Sequence, residues 1–494
     1  MIRRTSNHRE SGIPLEVGCS MGDVRGSFDR ASVLVGLLWC VALLSLVVVG
    51  VLHTSRIDLI AGKNYGDRIQ AHYLALAGIE KAKALLYKNA HDRSTSGKNH
   101  SGELYNDADD FRDVSFGRGK FRVFRRGRQD EGGGIVYGIS DEESRLNINT
   151  ASLQQFTNLN GMTVDIAKAI VDWRSAANDN DNNNGADPNA PTGVGANEDY
   201  YMSLQPPYQP RHGPLQTVRE LLLVRGVTRD LLFGNDKHQN GLLPAAGDGE
   251  DDSLSGDLNA DTDAGWAELF TVASTEKNVS AGGQDRVNVQ SADENALTGV
   301  KGITSTMARA IVSYRGQNQL QSIADLLDVT AQQNQGNSGN NRNSNGGPRS
   351  GNQSNASGSS GSGNKVINQD DFLQFADDIT TANSQELTGQ ININTAGIDV
   401  LTCLPGVDRQ LAQAIIMYRQ SSGYFPNPGE LLKVGGFTQA IFKQVAPLVT
   451  ARSETFRILS EGKVTSTGAR QRIQEIVHVD LNEVTTLGYR EDNL

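Results

Sequence analysis

A run of oxygen-bearing side chains could hold a cation. Asp179, Asp181 and Asn183 stand at alternate positions, which is the spacing of the first half of a calcium-binding loop. The Glu that usually closes such a loop at its twelfth position is replaced by Ala190. The loop leaves two alternatives, calcium as a cofactor and a simply solvated acidic loop. The ligands that could close the site are Asp187, Glu198 and Asp199, and a weaker second candidate contains Asp257, Asn259, Asp261 and Asp263.

The sequence contains no recognisable set of catalytic residues. The eight His are scattered, and the chain contains neither a nucleophile elbow nor a phosphate-binding Gly loop. The three cysteines, Cys19, Cys40 and Cys403, leave no pair in the soluble part. We predict that the chain is not an enzyme. The formal net charge of −11 also excludes an overall field that would attract nucleic acid.

A three-residue pattern occurs three times at identical spacing. In each copy a Gly follows an Asn by 14 residues and an Arg follows the Asn by 27 residues. Ala and Ile precede each Arg at the spacing that places all three on one face of a helix. The three copies contain Asn147, Gly161 and Arg174, then Asn288, Gly302 and Arg315, then Asn392, Gly406 and Arg419.

Each copy predicts two helices joined by a tight turn at the Gly, followed by a Leu-rich companion segment. This unit resembles the helix-hairpin-helix module. Such turns often bind DNA phosphates, but here Asp165, Arg309 and Asp408 give the turns mixed charge. Because each Arg shares the Ala and Ile face, we favour packing against the core over DNA binding. An aromatic cluster at 200–208 is predicted to clamp the first unit to its companion or to meet a partner.

Residues 31–52 are 22 consecutive uncharged residues, and about 20 suffice to cross a bilayer. Helical spacing continues to about Lys88, so we predict one membrane and stalk helix on the order of 85 Å long. Strand-like segments follow at 114–126 and 135–139 and return at 455–459 and 472–479. The fold class predicted is α+β: a long helix on a small antiparallel sheet, with a large all-α domain inserted in it.

The predicted division of the chain follows from these elements. Residues 331–365 are almost entirely Gln, Asn, Gly and Ser, so they are predicted to be a disordered linker. The full division is a leader at 1–30, the membrane and stalk helix at 31–90, the first part of the sheet at 91–146, the first unit at 147–240, an acidic linker and strand at 241–286, the second unit at 287–330, the linker at 331–365, the third unit at 366–450 and the last strands at 451–494.

A membrane helix beginning SVLVGLLW, the strings NINTA, DWR and LPGV, and the segment EDYYMSLQPPYQPRHGPLQTVRELLLVRGVT together resemble the protein K family of type II secretion minor pseudopilins. The resemblance implies a tip subunit of the pseudopilus that initiates its assembly. It implies a single-pass inner-membrane protein whose bulk is periplasmic and whose leader is cytoplasmic. The implied partners are the I and J minor pseudopilins, the major pseudopilin, the inner-membrane assembly platform and prepilin peptidase, with no nucleic acid. The alternative is a membrane-anchored DNA receptor built on the same module.

The resemblance also implies cleavage by prepilin peptidase just before the apolar run. In that register the cut falls between Ala31 and Ser32, where the family usually has Gly before the cut. A cut between Gly26 and Ser27 has the usual Gly but leaves charged residues in the mature head. The Glu usual at the fifth mature position of pilins is absent in either register, and protein K typically lacks it.

Overall fold

The computed structural model describes residues 29–98, 102–175, 198–236, 265–330 and 365–492. It divides into two compact units, Met1–Gly66 and Asp67–Leu494.

A single helix, Asp29–Ser96, begins in the first of these and ends in the second. It is 68 residues long and contains no Pro, so nothing in it removes a helical hydrogen bond. Among the described residues it is the one helix long and apolar enough to cross a membrane. The prediction ended this helix near Lys88, but Tyr87 and His91 continue the same face with stacked rings, and the helix persists to Ser96.

An antiparallel sheet packs on the part of the helix that belongs to the second compact unit. Ala75, Ile79 and Ala82 of the helix share a buried core with Ile458 and Ile473 of the sheet. The strands in spatial order are Val114–Phe116, Gly119–Val123, Thr455–Val464, Arg470–Val479 and Val484–Asp492, with Ser140–Asp141 also pairing with Thr455–Val464.

The sheet confirms the predicted fold class and corrects its details. The predicted strand at 114–126 is broken by a turn at Gly117 and is three short strands, of which Arg125–Arg126 pairs with Ile135–Val136. The sequence analysis missed the edge strand Val484–Asp492, because its outward side chains are mostly polar and charged.

Three helical units lie between the halves of the sheet, at 146–271, 287–380 and 391–450, and they share one continuous hydrophobic core. Each has an opening strand, two helices joined by a Gly turn, a companion 3₁₀ helix, a closing helix and a closing strand. Thr163, Thr304 and Asp408 cap the second helices by accepting from the backbone N–H three residues on. In this order the elements of the first unit are Leu146–Asn147, Leu153–Thr157, Val164–Arg174, Val218–Leu223, Arg229–Phe233 and Phe270–Thr271; of the second, Val287–Asn288, Glu294–Thr298, Ser305–Arg315, Ile323–Asp328, Gln369–Phe375 and Ile379–Thr380; and of the third, Ile391–Asn392, Ile398–Leu401, Arg409–Ser422, Pro428–Lys433, Gln439–Val445 and Val449–Thr450.

The second unit is completed by residues after the Asn- and Gly-rich segment. The predicted division gave residues 366 onward to the third unit, but the helix Gln369–Phe375 and the strand Ile379–Thr380 belong to the second, since that strand pairs with Val287–Asn288. The predicted linker at 331–365 lies outside the described residues except Lys365.

Short elements connect these parts. Thr275–Lys277, which follows the first unit, pairs with Glu386–Thr388, which follows the second. The remaining short helices are Glu103–Tyr105, Ala108–Phe111, Gln129–Glu131, Glu198–Met202, Trp266–Glu268 and Ala446–Leu448.

Candidate functional site

The hairpin turns of the three units have the left-handed backbone that glycine favours. Gly161, Gly302 and Gly406 have φ angles of +76°, +98° and +73°. Each faces the closing part of its own unit, where a Cβ at Gly302 would lie 3.2 Å from Gln374 and one at Gly406 would lie 3.5 Å from Ile441. The two hairpins of a unit therefore pack against each other at these turns.

The repeat arginines bind the backbone inside their own units. Arg419 Nη1 donates to the carbonyls of Ile393 and Ala396 at 2.9 and 2.8 Å, and its Nη2 lies 3.1 Å from Asp130. Arg315 donates to Val289 O at 2.8 Å, and Arg174 donates to the carbonyls of Ile148 and Ala151. Burial lowers the pKa of Arg174 to about 10. These guanidinium groups hold the start of each unit against its second helix.

The charged groups beside the turns do not form a basic patch in the part of the chain that the structure describes. Arg309 is paired with Glu294 at 2.8 Å, and Arg409 lies 3.6 Å from Asp399. Asp408 caps its helix. A phosphate at these turns would meet paired arginines and carboxylates, which is unfavourable for DNA.

The opening Asn of each unit joins it to its closing strand. Asn147 and Asn392 donate through Nδ2 to the hydroxyls of Ser274 and Ser453 at 2.9 and 2.8 Å, and Asn288 donates to Asn383 Oδ1 at 2.7 Å. Each Asn Oδ1 also accepts from the backbone N–H two residues on. Side chains that follow the Asn, Ser152 and Asp293, cap the next helix in the first two units, whereas the Asn itself lies in a strand.

A second repeated signal in the sequence was missed. Each closing strand ends in a Thr, and the residue three positions later accepts the hydrogen bond of the opening Asn. The three strings are FTVAS at 270–274, ITTAN at 379–383 and VTARS at 449–453. Their common spacing could have located the closing strands before the structure was known.

Buried charges gather where the units join the sheet, and sequence reasoning also missed them. Glu142 Oε1 lies 2.7 Å from Arg457, and Glu276 Oε1 lies 2.6 Å from Arg452. Burial alone would raise the pKa of Glu142, but the charges of Arg457 and Arg145 hold it below its usual value. The charged run 140–145 directly before the first unit was the available signal.

Asp141 and Glu143 form the part of this junction where hydroxyl, amide and backbone groups supply the hydrogen bonds. Asp141 Oδ2 accepts from Ser453 Oγ at 2.7 Å and from Asn392 Nδ2 at 3.0 Å. Glu143 accepts from the backbone N–H of Thr455 at 3.2 Å. Burial raises the pKa of Glu143 well above its usual value, and the charge of Asp141 raises it further. This shift favours the protonated form of Glu143 at the junction.

The aromatic cluster clamps the first unit. The ring of Tyr201 is buried and lies 5.2 Å from the ring of Trp173 and 5.5 Å from that of Tyr208. Tyr201 Oη accepts from Arg225 N at 3.2 Å, and Tyr208 Oη donates to Leu223 O at 2.8 Å. The cluster thus joins the second helix to the end of the companion helix.

The predicted calcium and cleavage residues are mostly beyond the described ranges. Glu198 and Asp199 are exposed at the start of the helix Glu198–Met202. Ala31 and Ser32 lie within the long helix. Within the described ranges no group of three or more His, Cys, Asp or Glu is placed to hold a metal ion. The predicted residues outside the description are Gly26, Ser27, Asp179, Asp181, Asn183, Asp187, Asp257, Asn259, Asp261 and Asp263.

Family models match three separate parts of the chain. Residues 138–233 match the family described as type II secretion system protein K. Residues 282–331 and 388–450 match the helix-hairpin-helix motif. The first match contains the junction carboxylates Asp141, Glu142 and Glu143, the first hairpin and the aromatic cluster, and the others contain the second and third hairpins.

Curated relatives match a limited part of the chain. The endonuclease/exonuclease/phosphatase family domain-containing protein 1 of Bos taurus is 27% identical over 194 residues, which are 38% of this chain and 32% of that protein. The human protein of the same name is 26% identical over the same shares. The chain thus spans about a third of the length of the curated relatives it matches.

Among solved structures, the GspK-GspI-GspJ complex of the type 2 secretion system of enterotoxigenic Escherichia coli has a chain that aligns with 89% of this one. The alignment covers 99% of that chain, with 11% identity and a TM-score of 0.39.

The family match at 138–233 supports a type II secretion minor pseudopilin. The three repeat units have the geometry of helix-hairpin-helix motifs, and two of them match that family directly. The chain is therefore protein K-like, with helix-hairpin-helix repeats.

Proposed function

We propose that this chain is the minor pseudopilin at the tip of a type II secretion pseudopilus and that it initiates assembly of the fibre. The observation that carries the proposal is the protein K match at 138–233, in a chain that also has a membrane-length helix and an antiparallel sheet. The long apolar helix would wait in the inner membrane and then pack among the helices of the fibre.

The size of the inserted units supports a terminal position. They interrupt the sheet between Asp141 and Thr455 and bury their own continuous core. A subunit within the fibre must pack against neighbours above and below. With the added bulk of the inserted units, this chain is suited to a position at the end of the fibre. The bulk of the chain would then lie in the periplasm, anchored by one span, after prepilin peptidase has removed the leader.

The partners proposed are the I and J minor pseudopilins, followed by the major pseudopilin and the inner-membrane assembly platform. The test is to co-express the full chain with the I and J proteins of the same system, purify in detergent with calcium present, and measure mass by light scattering on a sizing column. We expect one stoichiometric complex. Failure of the three proteins to associate would overturn the tip assignment.

Initiation needs a separate measurement. Deleting this gene and overproducing the major pseudopilin should give fewer fibres per cell by electron microscopy, and the full-length gene should restore their number. Met417→Asp, at an exposed position of the third unit, is a matched control that should restore it equally. Unchanged fibre number after deletion would contradict the initiating role.

The second candidate is a membrane-anchored DNA receptor, favoured by the two helix-hairpin-helix matches. The paired charges at the turns and the internal use of Arg174, Arg315 and Arg419 argue against it. A gel-shift titration of the full chain with duplex DNA distinguishes the two, since salt-sensitive micromolar binding would favour the receptor.

Calcium is proposed as the cofactor, with Asp179, Asp181, Asn183, Asp187, Glu198 and Asp199 as candidate ligands. Carboxylate and amide oxygens are the donors that calcium prefers. Calorimetric titration of the calcium-stripped chain should show binding that Asp181→Asn weakens and Glu294→Gln leaves unchanged. Absence of binding would favour the solvated loop.

A further inference from the structure

A cavity of about 50 Å³ lies where the long helix, the sheet and the third unit meet. The long helix lines it with Asn89 and Arg93, the sheet with Phe456, and the third unit with Asn394 and Tyr424. All of these residues belong to the second compact unit. A water molecule occupies about 10 to 15 Å³ of such volume, so the cavity has room for about three to five groups of that size.

The segment that leaves the long helix forms one wall of this cavity at Gly102. Gly102 has a φ of +79°, and a Cβ at this position would overlap the ring of Tyr424. Glycine therefore meets two requirements here, a left-handed backbone and a close approach to an aromatic ring. The wall is fixed by this contact between the segment and the third unit.

Another part of the lining is apolar. Leu86 and Ala90 of the long helix line the cavity together with Ile139 and Phe456, and all four are buried in the core that the helix shares with the sheet. A polar group placed against this wall would lose its hydrogen bonds to water without gaining others. A ligand must therefore bring apolar atoms to this side.

Several polar groups of the lining already have partners within the protein. Asn392 Nδ2 and Ser453 Oγ both donate to Asp141 Oδ2, at 3.0 and 2.7 Å. Asn394 Nδ2 donates to two backbone carbonyls at 3.0 and 2.8 Å. These side chains hold the junction together and do not select a ligand.

Arg93 is a buried cation with distant partners. Its side chain is 12% exposed, its Nη1 lies 3.5 Å from Ser453 O, and its Nη2 lies 3.5 Å from Glu454 Oε1. The buried Arg419, in contrast, has three partners between 2.8 and 3.1 Å. Burial lowers the pKa of Arg93 and the charge of Arg452 lowers it further, whereas the charge of Glu454 opposes both. A buried charge without close partners is costly, so an anion beside Arg93 would be stabilising.

Two uncharged side chains of the lining can also donate to a ligand. The side chains of Asn89 and Tyr424 make no hydrogen bond within the described part of the chain. Asn89 precedes Arg93 by four positions and so lies on the same face of the helix. An amide NH₂, a phenol O–H and a guanidinium are all donors. The group that fits them is an acceptor with negative charge.

We propose that this cavity binds a small organic carboxylate, with its charged group at Arg93, Asn89 and Tyr424 and its carbon chain against Leu86 and Phe456. The volume limits the ligand to about two or three carbons. Hydrogen bonds between a guanidinium and a carboxylate are among the strongest in proteins. The bound carboxylate would join the end of the long helix to the third unit. The proposal does not rest on the tip assignment, since it concerns a ligand held within one chain.

The test is saturation-transfer NMR of propionate with the full chain in lipid nanodiscs, at constant ionic strength and with empty nanodiscs as the blank. We expect a saturable signal. Propionamide has a similar shape without the charge, and it should bind at least about tenfold more weakly. Acetate should displace propionate, whereas chloride at the same concentration should not.

The variants locate the binding. Arg93→Gln should weaken propionate binding at least about tenfold, and Arg93→Lys, which keeps the charge, should retain more of the affinity. Tyr424→Phe removes only a hydroxyl and should weaken binding about threefold. The matched control is Lys88→Gln, which removes an exposed charge from the same helix and should leave the affinity unchanged. Circular dichroism must show that each variant is folded.

Four results would overturn the proposal: no saturable signal from propionate above the blank, equal affinity for propionamide, equal displacement by chloride and acetate, or unchanged affinity in both folded variants Arg93→Gln and Tyr424→Phe. None of these measurements involves another pseudopilin. Failure of this proposal is therefore distinguishable from failure of the tip assignment.

Discussion

The third unit and the first unit follow one plan, yet their companion helices face different surroundings. In the third unit the companion helix contacts the closing helix of the second, and the second unit receives the equivalent contact in return. In the first unit the same face carries Leu222 and Leu223 exposed. Repetition of a unit thus preserves its internal contacts, whereas its outer face is free to become either core or surface.

Leu327→Ala tests whether the covered face stabilises the protein. Leu327 is buried in the companion helix of the second unit, which contacts the closing helix of the third, so its truncation should cost about 2 to 5 kcal/mol of unfolding free energy. The matched change Leu222→Ala, at the equivalent exposed position, should cost less than about 1 kcal/mol. Urea unfolding followed by circular dichroism measures both, and equal costs would contradict the comparison.

Arg419→Ala compares the buried arginine of the third unit with its half-buried counterpart in the second. Arg419 binds two carbonyls and Asp130, so the variant leaves a buried carboxylate without this partner and should cost about 3 kcal/mol. Arg315→Ala removes a hydrogen bond to Val289 O and should cost about 1 kcal/mol. The same urea titration measures the difference. A larger loss from Arg315→Ala would refute this ranking.

Gly302→Ala probes the turn that every unit shares. Its φ of +98° is strained for any residue with a Cβ, and that Cβ would also press on Gln374. We expect a loss of about 1 to 2 kcal/mol. Gly435→Ala is the control, because a Cβ there meets open space and its φ is not in the left-handed region. A neutral Gly302→Ala would show that the turn relaxes freely.

Glu143→Gln should change how stability depends on pH. The raised pKa of Glu143 means that the folded chain holds this proton more tightly than the unfolded chain, whose value is near 4.5. The stabilisation is complete below about pH 4.5 and is lost as pH rises through the raised pKa. Thermal unfolding of the Gln variant, measured over the same pH range, should not show this decline in stability with rising pH.

Glu131→Gln is the control of opposite sign for this pH experiment. Burial alone would raise the pKa of Glu131, but its bonds to Arg125 and the charge of Arg128 lower it to about 2. Its stabilisation is therefore present above about pH 4.5 and lost as pH falls toward about 2. Parallel pH profiles for the two variants would contradict the assigned directions.

Much of the fold could be predicted because its signals are local. The spacing of Ala, Ile and Arg placed Arg174, Arg315 and Arg419 on the packed face of a helix, and the structure gives them internal partners. The Gly turns and the apolar run at 31–52 also depend on neighbouring residues. The pairing of Leu146–Asn147 with Phe270–Thr271, more than a hundred residues away, was not predicted, because a repeated string can locate a short strand but does not say which distant strand pairs with it.

The sequence by itself determined the long apolar helix, the three hairpins and the resemblance to protein K, because periodicity, Gly positions and short motifs depend only on residues that are close together in the sequence. Only the tertiary structure decided that the opening Asn holds the closing strand, that Asp141 and Glu143 share a buried junction, and that the second and third units cover each other while the first leaves Leu222 and Leu223 exposed. These features depend on which distant segments come into contact, because burial and charge pairing arise from contacts between those segments.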